Sequence, residues 1–245
     1  MRLHPQLALI ADLQFGISCQ WDCHVYALRA PGGVVLIDAG SGMAHDALLG
    51  NLRQEFGTDE IAGLVLTHTH PDHANGASRF ACDVYAPAAS KGILEDADEE
   101  RSGLAGGHRR GAYPMEMRME ACRVHRALEH GESFTVAGQT LQAIHVTGHS
   151  EDSFCYVTEM ECGRALFCGD AVFYGGVLGL INAPGSSMDS YRTHLGRLRG
   201  LDVDCLFPGH GLFTFRKGQR HIDAALQQLE RGFVPRMIGQ QELIF

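Results

Sequence analysis

Histidine and aspartate cluster in one short segment of the chain, THTHPDH. His68 and His70 lie two residues apart at the end of an apolar run, so on a strand both side chains leave the same face. Pro71 then interrupts the extended chain, and the turn that follows brings Asp72 and His73 towards a neighbouring point. Imidazole and carboxylate groups are metal ligands, and two pairs separated by a proline suit two adjacent ions better than one.

Further candidate ligands follow apolar runs later in the chain. His149 lies in HVTGHS, Asp170 in LFCGD and His210 in LFPGH, and the glycine before each allows close approach of the backbone. With the first motif they make five imidazoles and two carboxylates. This donor set suits Zn²⁺, and Fe or Mn is compatible with it. Two ions that share a carboxylate and a hydroxide lie ~3.5–4 Å apart, a geometry that stabilises hydrolytic transition states.

The rest of the chain alternates short apolar runs with segments of helical periodicity, which is typical of an α/β layer protein. Pro31-Gly32-Gly33 lies between the first two of these runs and predicts a hairpin. The candidate ligands stand where predicted strands end, the edge at which α/β sheets bind ligands. The pattern predicts strands at 24–29, 34–38, 61–67, 82–86, 133–137, 140–146, 153–159, 164–168 and 203–207, with helices at 43–56, 189–199 and 218–231.

In their order, the motifs HxHxDH, TGHS, GD and PGH resemble those of the metallo-β-lactamase fold superfamily of hydrolases. The resemblance runs from the segment DAGS, which begins at Asp38, to His210. It implies an α/β fold, a four-layer αβ/βα sandwich of the metallo-β-lactamase type, with Asp38 buried behind the site. It also implies that one metal is held by His68, His70 and His149, the other by Asp72, His73 and His210, and that Asp170 bridges them.

The resemblance further implies a metal-dependent hydrolase with two Zn²⁺ ions. A hydroxide that bridges the ions would attack a small ester, thioester or lactone. Asp72, beside that hydroxide, is the candidate proton carrier. Tyr174 follows Asp170 in a loop, and we consider both contact with a substrate oxyanion and simple packing for its side chain.

Three alternative functions stay open at this point. The first is a mononuclear iron persulfide dioxygenase-like enzyme, although GDAVFYGGVLGL stands here where that branch and glyoxalase II carry Gly-Cys-Gly-Arg. The second is a β-lactam hydrolase, which Asp170 and the lack of a recognisable export signal disfavour. The third is a metal-dependent binding module without catalysis, which the complete donor set argues against.

Composition limits the partners. The chain carries 20 Lys and Arg against 29 Asp and Glu, a net charge of −9, which argues against nucleic acid and anionic membranes. No apolar run approaches the ~18 residues of a membrane span. We therefore expect a cytoplasmic protein that acts on a small-molecule substrate as a monomer or homodimer. The eight cysteines form no CxxC pair and are interpreted as buried thiols rather than a disulfide framework.

The domain prediction is a single metallo-β-lactamase-like domain over 1–245. The stretch at about 87–131 is interpreted as an insert, either a lid over the site or a solvated excursion. The apolar end of the chain, MIGQQELIF, is expected to pack on the body of the protein or on a second subunit.

Overall fold

The computed structural model describes residues 1–238, and the end of the chain that was expected to pack on the body lies largely outside them. The chain forms two compact units. The first unit comprises Met1–Leu128 and Thr135–Gln139, and the second comprises Glu129–Phe134 and the chain from Thr140 onward. The single domain over 1–245 stays a prediction.

A seven-stranded sheet in which the strands follow chain order forms the centre of the first unit. Neighbours are antiparallel up to the fourth strand and parallel from the fourth to the seventh. The strands are β1 (Arg2–His4), β2 (Leu7–Ala11), β3 (Val25–Ala30), β4 (Gly33–Ile37), β5 (Gly63–Val65), β6 (Val84–Pro87) and β7 (Arg126–Leu128). The helices are α1 (His45–Phe56), α2 (Pro71–Ala74), α3 (Ser90–Glu95) and α4 (Leu104–Arg110).

Burial in the first unit follows from these patterns. Every residue of β2, LALIA, is buried, as is every residue of β5. Leu48 and Leu52, one turn apart on α1, are the buried residues of that helix, which ends at Gly57 with φ of 74°. The predicted hairpin is confirmed, because β3 and β4 pair as antiparallel neighbours. The predicted strands over 24–29, 34–38, 61–67 and 82–86 are found, although β5 is shorter than predicted.

A five-stranded sheet belongs mainly to the second unit. In their order across the sheet, its strands are β14 (Cys205–Pro208), β11 (Gly163–Gly169), β10 (Phe154–Met160), β9 (Gln139–His145) and β8 (Ser133–Val136). Its strands β9, β10 and β11 are antiparallel neighbours, whereas β11 and β14 run parallel. Two short strands, β12 (Val172–Phe173) and β13 (Val177–Leu178), pair as antiparallel neighbours. The helices that follow are α5 (Met188–His194) and α6 (Gln219–Glu230).

Helix α6 shows the amphipathic pattern from which it was predicted. Ile222, Ala225 and Leu226 are buried and lie on one face of the helix. The helix predicted over 189–199 is α5 followed by a 3₁₀ turn at Leu195–Leu198. Among residues 1–238, no helix combines the length and the apolar character that crossing a membrane requires.

The stretch predicted as an insert at about 87–131 contains α3, α4 and β7 and belongs to the first unit as far as Leu128, whereas its last residues, from Glu129, belong to the second unit. Its methionines divide between core and surface, since Met117 and Met119 are buried and Met115 is 62% exposed. The two buried side chains join the apolar core of the first unit. A lid function for this stretch stays a prediction.

Candidate metal centre

The THTHPDH segment is the junction between β5 and α2. β5 ends at Val65, and α2 begins at Pro71, a position where the missing N–H of proline has no helical partner to lose. Asp72 and His73 therefore lie in the first turn of the helix. His68 and His73 are fully buried, and buried polar groups of this kind need partners.

The first pair of histidines forms a close contact. The distance from His68 Nε2 to His70 Nδ1 is 3.1 Å, and Thr67 Oγ1 lies 3.0 Å from His68 Nδ1. Neighbouring ligand atoms of a tetrahedral zinc ion, at Zn–N distances of about 2.0–2.1 Å, lie about 3.3–3.4 Å apart. The spacing of His68 Nε2 and His70 Nδ1 thus fits two ligands of one ion.

Asp38 orients the third histidine of the motif. Asp38 directly follows β4, is 2% exposed, and its Oδ2 lies 2.8 Å from His73 Nδ1. The Thr67 N–H donates to Asp38 Oδ1 at 2.7 Å, so the carboxylate is held from both sides. An Nδ1–H that donates to a carboxylate leaves His73 Nε2 as the ligand atom, the usual support for a metal-binding histidine.

The carboxylate of Asp72 is oriented by a tyrosine that sequence reasoning missed. The Tyr113 O–H donates to Asp72 Oδ1 at 2.8 Å, while Asp72 Oδ2 lies 3.6 Å from His73 Nε2. Tyr113 comes from the insert, just after α4, and its ring packs on Gly107, where a Cβ would collide with it. No local sequence pattern predicts this contact, because 41 residues separate Tyr113 from Asp72.

A second missed residue is Cys23. Ligand-type atoms of Cys23, Asp38 and His73 lie within 4.8 Å of one another, all in the first unit. Burial raises the pKa of the Cys23 thiol, which disfavours the thiolate form that binds metal ions. The imidazole and carboxylate groups therefore remain the better donors in this unit.

The three later candidate ligands meet in the second unit. Asp170 Oδ2 lies 3.5 Å from His149 Nε2 and 3.6 Å from His210 Nε2. Asp170 follows β11 and His210 follows β14, and these parallel neighbours place both side chains at one edge of the sheet. Asp170 Oδ2 is thus nearly equidistant from two imidazole nitrogens.

Tyr191, also missed by sequence reasoning, holds the loops that carry two of these ligands. Its hydroxyl donates to the Asp170 carbonyl at 3.2 Å and accepts the Gly179 N–H at 3.1 Å. The Gly179 carbonyl in turn accepts from His149 Nδ1, which leaves His149 Nε2 as the ligand atom. Gly148, at φ of 138°, lies against the Tyr191 ring, and a Cβ there would collide with it.

Tyr174 lies apart from these hydrogen bonds. Its side chain is 42% exposed, and its ring packs on His221 with 4.1 Å between ring centroids. The Gly175 N–H donates to His221 Nδ1 at 2.9 Å. This packing agrees with one of the two expectations for Tyr174, and contact with a substrate oxyanion stays a prediction.

A protein-family model described as the metallo-beta-lactamase superfamily matches residues 20–210. This range contains every candidate ligand of both units. It also contains Asp38, Tyr113 and Tyr191, which orient those ligands.

The most similar curated proteins include fungal thioesterases. The chain is 26% identical to an atrochrysone carboxyl ACP thioesterase of Aspergillus fumigatus over 82% of this chain and 55% of that protein. It is 27% identical to thioesterase pkgB of Emericella nidulans over 72% of this chain and 42% of that protein. The lactamase-like protein vrtG of Penicillium aethiopicum is 26% identical over 86% of this chain and 58% of that protein. The chain thus spans about half the length of the curated relatives it matches.

Solved structures show the same fold. A metallo-beta-lactamase of Cronobacter sakazakii aligns with a TM-score of 0.69 at 19% identity, covering 95% of each chain. A subclass B3 metallo-beta-lactamase of Bradyrhizobium japonicum aligns with a TM-score of 0.64 at 20% identity, covering 86% of each chain. The α/β fold of the metallo-β-lactamase type that the sequence predicts is confirmed.

Proposed function

The chain belongs to the metallo-beta-lactamase superfamily, and on that premise we propose that it is a metal-dependent hydrolase that cleaves a thioester. The observation that carries the choice of substrate class is the alignment with two proteins named thioesterases, over 82% and 72% of this chain. This alignment favours the thioester over the ester and the lactone, which the sequence also left open. The solved structures support the fold alone, since their identities are 19% and 20%.

The donor chemistry fits divalent metal ions. Each unit offers pairs of ligand-type atoms, imidazole nitrogens and carboxylate oxygens, whose two members lie 3.1 to 3.6 Å apart, as two ligands of one ion would. His73 and His149 have their Nδ1 atoms engaged by oxygen acceptors, which directs Nε2 to the metal. Zinc is the ion that we propose, with Fe and Mn as chemically compatible substitutes.

We assign the ligands of two metal ions as the resemblance implies. The family match over residues 20–210 supports this, because it spans both donor sets. Asp170 is the proposed bridging ligand, supported by the near-equal distances from its Oδ2 to two imidazoles. One ion would be held by His68, His70 and His149, and the other by Asp72, His73 and His210.

When bound, two such ions supply a Lewis acid for the carbonyl oxygen and lower the pKa of a coordinated water to about 7. Asp72 is the proposed proton carrier. The hydrogen bond from Tyr113 fixes the rotation of its carboxylate, so that Oδ2 keeps one position. A thiol leaves readily as the thiolate because its pKa is about 8.5, so cleavage needs a proton acceptor more than a proton donor.

Hydrolysis of a model thioester tests this function. An acyl N-acetylcysteamine thioester is incubated with the zinc-loaded protein, and the released thiol is followed by a colorimetric thiol reagent. The oxygen ester of the same acyl group, a lactone and a β-lactam are run in parallel. We expect turnover of the thioester in excess of the other three substrates. Turnover of the β-lactam or lactone alone would overturn the proposed substrate class.

Matched histidine variants test the assignment of the centre. His210→Ala removes a proposed ligand, whereas His130→Ala removes an exposed imidazole of the same unit. We expect the first variant to lose zinc content and thioester turnover together, and the second to retain both. Full zinc content and turnover in His210→Ala would contradict the assignment.

A further inference from the structure

Two thiols of the second unit lie against each other, away from the donor set. The sulfur atoms of Cys162 and Cys205 are 3.4 Å apart. Cys205 is buried, whereas Cys162 is partly exposed. Both are free thiols in this structure.

Strand register brings the two cysteines together. Cys162 lies in the tight turn between β10 and β11, and Cys205 is the first residue of β14, the parallel neighbour of β11. Two further hydrogen bonds fix the backbones beside the thiols. The Asp204 N–H donates to the Arg164 carbonyl at 2.9 Å, and the Arg164 N–H donates to the Asp204 carboxylate at 3.0 Å. The contact between the thiols is therefore set by the sheet and not by a long loop.

We propose that Cys162 and Cys205 form a reversible disulfide, which makes this end of the sheet a redox modification site for low-molecular-weight disulfides such as oxidised glutathione. A disulfide bond is about 2.05 Å long, so the two sulfur atoms must approach by about 1.3 Å. Rotation of the partly exposed Cys162 side chain in its turn supplies a movement of this size.

The reaction is thiol–disulfide exchange in two steps. The Cys162 thiolate attacks one sulfur of oxidised glutathione, which releases one glutathione thiolate and leaves a mixed disulfide on Cys162. Cys205 then loses its proton to solvent, and its sulfur displaces the second glutathione. The two cysteines are oxidised by two electrons, and one glutathione disulfide is reduced to two glutathione thiols.

Exposure assigns the order of the two steps. Cys162 is the thiol that a reagent in solution can reach. Burial and the neighbouring Cys162 thiol raise the pKa of Cys205, which disfavours Cys205 as the first attacking thiolate. Cys162 is thus the attacking thiol and Cys205 the resolving thiol.

A second pair of cysteines in this unit, Cys155 and Cys168, differs from the first pair in burial, because neither of its thiols is exposed. Carbonyl contacts occur in both pairs, since Cys205 Sγ also lies 3.5 Å from the Cys162 carbonyl oxygen and 3.7 Å from the Phe215 carbonyl oxygen. The Cys155 S–H is directed at the Cys168 carbonyl, and the Cys168 S–H is directed at the Val172 carbonyl. Both thiols are buried, and burial raises both pKa values. We expect this pair to stay reduced under the same conditions, so it serves as an internal control.

The site is independent of the proposed hydrolysis. Cys205 begins β14, and His210 follows the opposite end of that strand. At 3.3 Å per residue, the two ends of β14 are about 10 Å apart. We therefore expect oxidation to change the stability of the protein and to leave metal content unchanged.

The experiment is disulfide mapping of the whole protein. The chain is equilibrated at pH 8 with mixtures of reduced and oxidised glutathione, alkylated, digested and analysed by mass spectrometry. We expect one crosslinked peptide pair that joins Cys162 to Cys205, and its loss on treatment with dithiothreitol. The crosslinked form should melt at a temperature higher by on the order of 5 °C, because the bond closes a long loop of the unfolded chain.

Two serine variants complete the test. Cys162→Ser should abolish the crosslink and the rise in Tm, whereas Cys19→Ser, which replaces another partly exposed thiol in the first unit, should change neither. Alkylation of both Cys162 and Cys205 at the most oxidising mixture would overturn the proposal. A glutathione adduct that persists on Cys162, or a crosslink to another cysteine, would overturn it as well.

Discussion

Replacing Tyr113 by phenylalanine isolates the contribution of a single hydroxyl to the proposed metal centre. The ring and its packing on Gly107 remain, while the hydrogen bond to Asp72 Oδ1 is lost. The carboxylate then rotates more freely, and ordering Oδ2 on the metal costs additional free energy. We therefore expect weaker metal binding and slower thioester turnover in Tyr113→Phe.

The size of the effect follows from the charge and the exposure of Asp72. A hydrogen bond to a charged group contributes about 1.5–3 kcal/mol, and 1.4 kcal/mol corresponds to a factor of ten. The Asp72 side chain is 16% exposed, so water recovers part of the lost interaction. We expect zinc affinity to fall about ten-fold to thirty-fold, within the range of about 10–100-fold known for residues that orient metal ligands.

Competition for zinc with a chromophoric chelator measures this affinity directly, without reference to turnover. The matched control is Tyr85→Phe, which removes a tyrosine hydroxyl from a partly buried position on β6 of the same unit. A zinc affinity of Tyr113→Phe within two-fold of the parent would refute the reasoning. The same loss of affinity in Tyr85→Phe would assign the effect to general destabilisation.

Three further predictions concern the support of the site and the stability of the fold. In Asp38→Asn, the side chain keeps one oxygen acceptor in place of the two carboxylate oxygens that accept from Thr67 and His73. Zinc affinity, measured by chelator competition, should therefore fall by at least ten-fold. The His24–Asp12 contact at 2.8 Å lowers the pKa of Asp12 despite the opposing effect of burial. The contribution of this contact to the free energy of unfolding is then fully present above pH 4 and is lost as the pH falls below 4. Between pH 5 and pH 3, the Tm of the parent should therefore drop more than the Tm of Asp12→Asn. Removal of both zinc ions with a chelator should lower Tm by about 10–20 °C relative to protein with zinc at 100 times the Kd of each site, as measured by calorimetry.

The parts of the site that could be predicted are those with a local signal. Asp170 and His210 were predicted to lie at strand ends because each follows an apolar run and a glycine. In the structure they follow the ends of β11 and β14. Pro71 predicted an end to the extended chain followed by a turn, and the structure forms this turn as the short helix α2. These features depend on neighbours in the chain, which a single sequence displays.

The parts that could not be predicted depend on contacts between distant residues. Beyond β5, the Leu66 N–H still donates to the Tyr85 carbonyl of β6, whereas the Thr67 N–H donates to the Asp38 side chain, a partner 29 residues away. Tyr113 and Tyr191 act on ligands that are 41 and 21 residues away. Periodicity and composition carry no information about such pairings, which only the folded chain reveals.

The central claim is that the chain binds two metal ions and uses them for thioester hydrolysis. The most direct test is elemental analysis of the purified chain with thioester turnover measured on the same sample. The account predicts two zinc ions per chain and turnover that falls in proportion when a chelator removes them. A single iron ion per chain, with oxygen consumed on addition of a persulfide and no thioester cleaved, would contradict it.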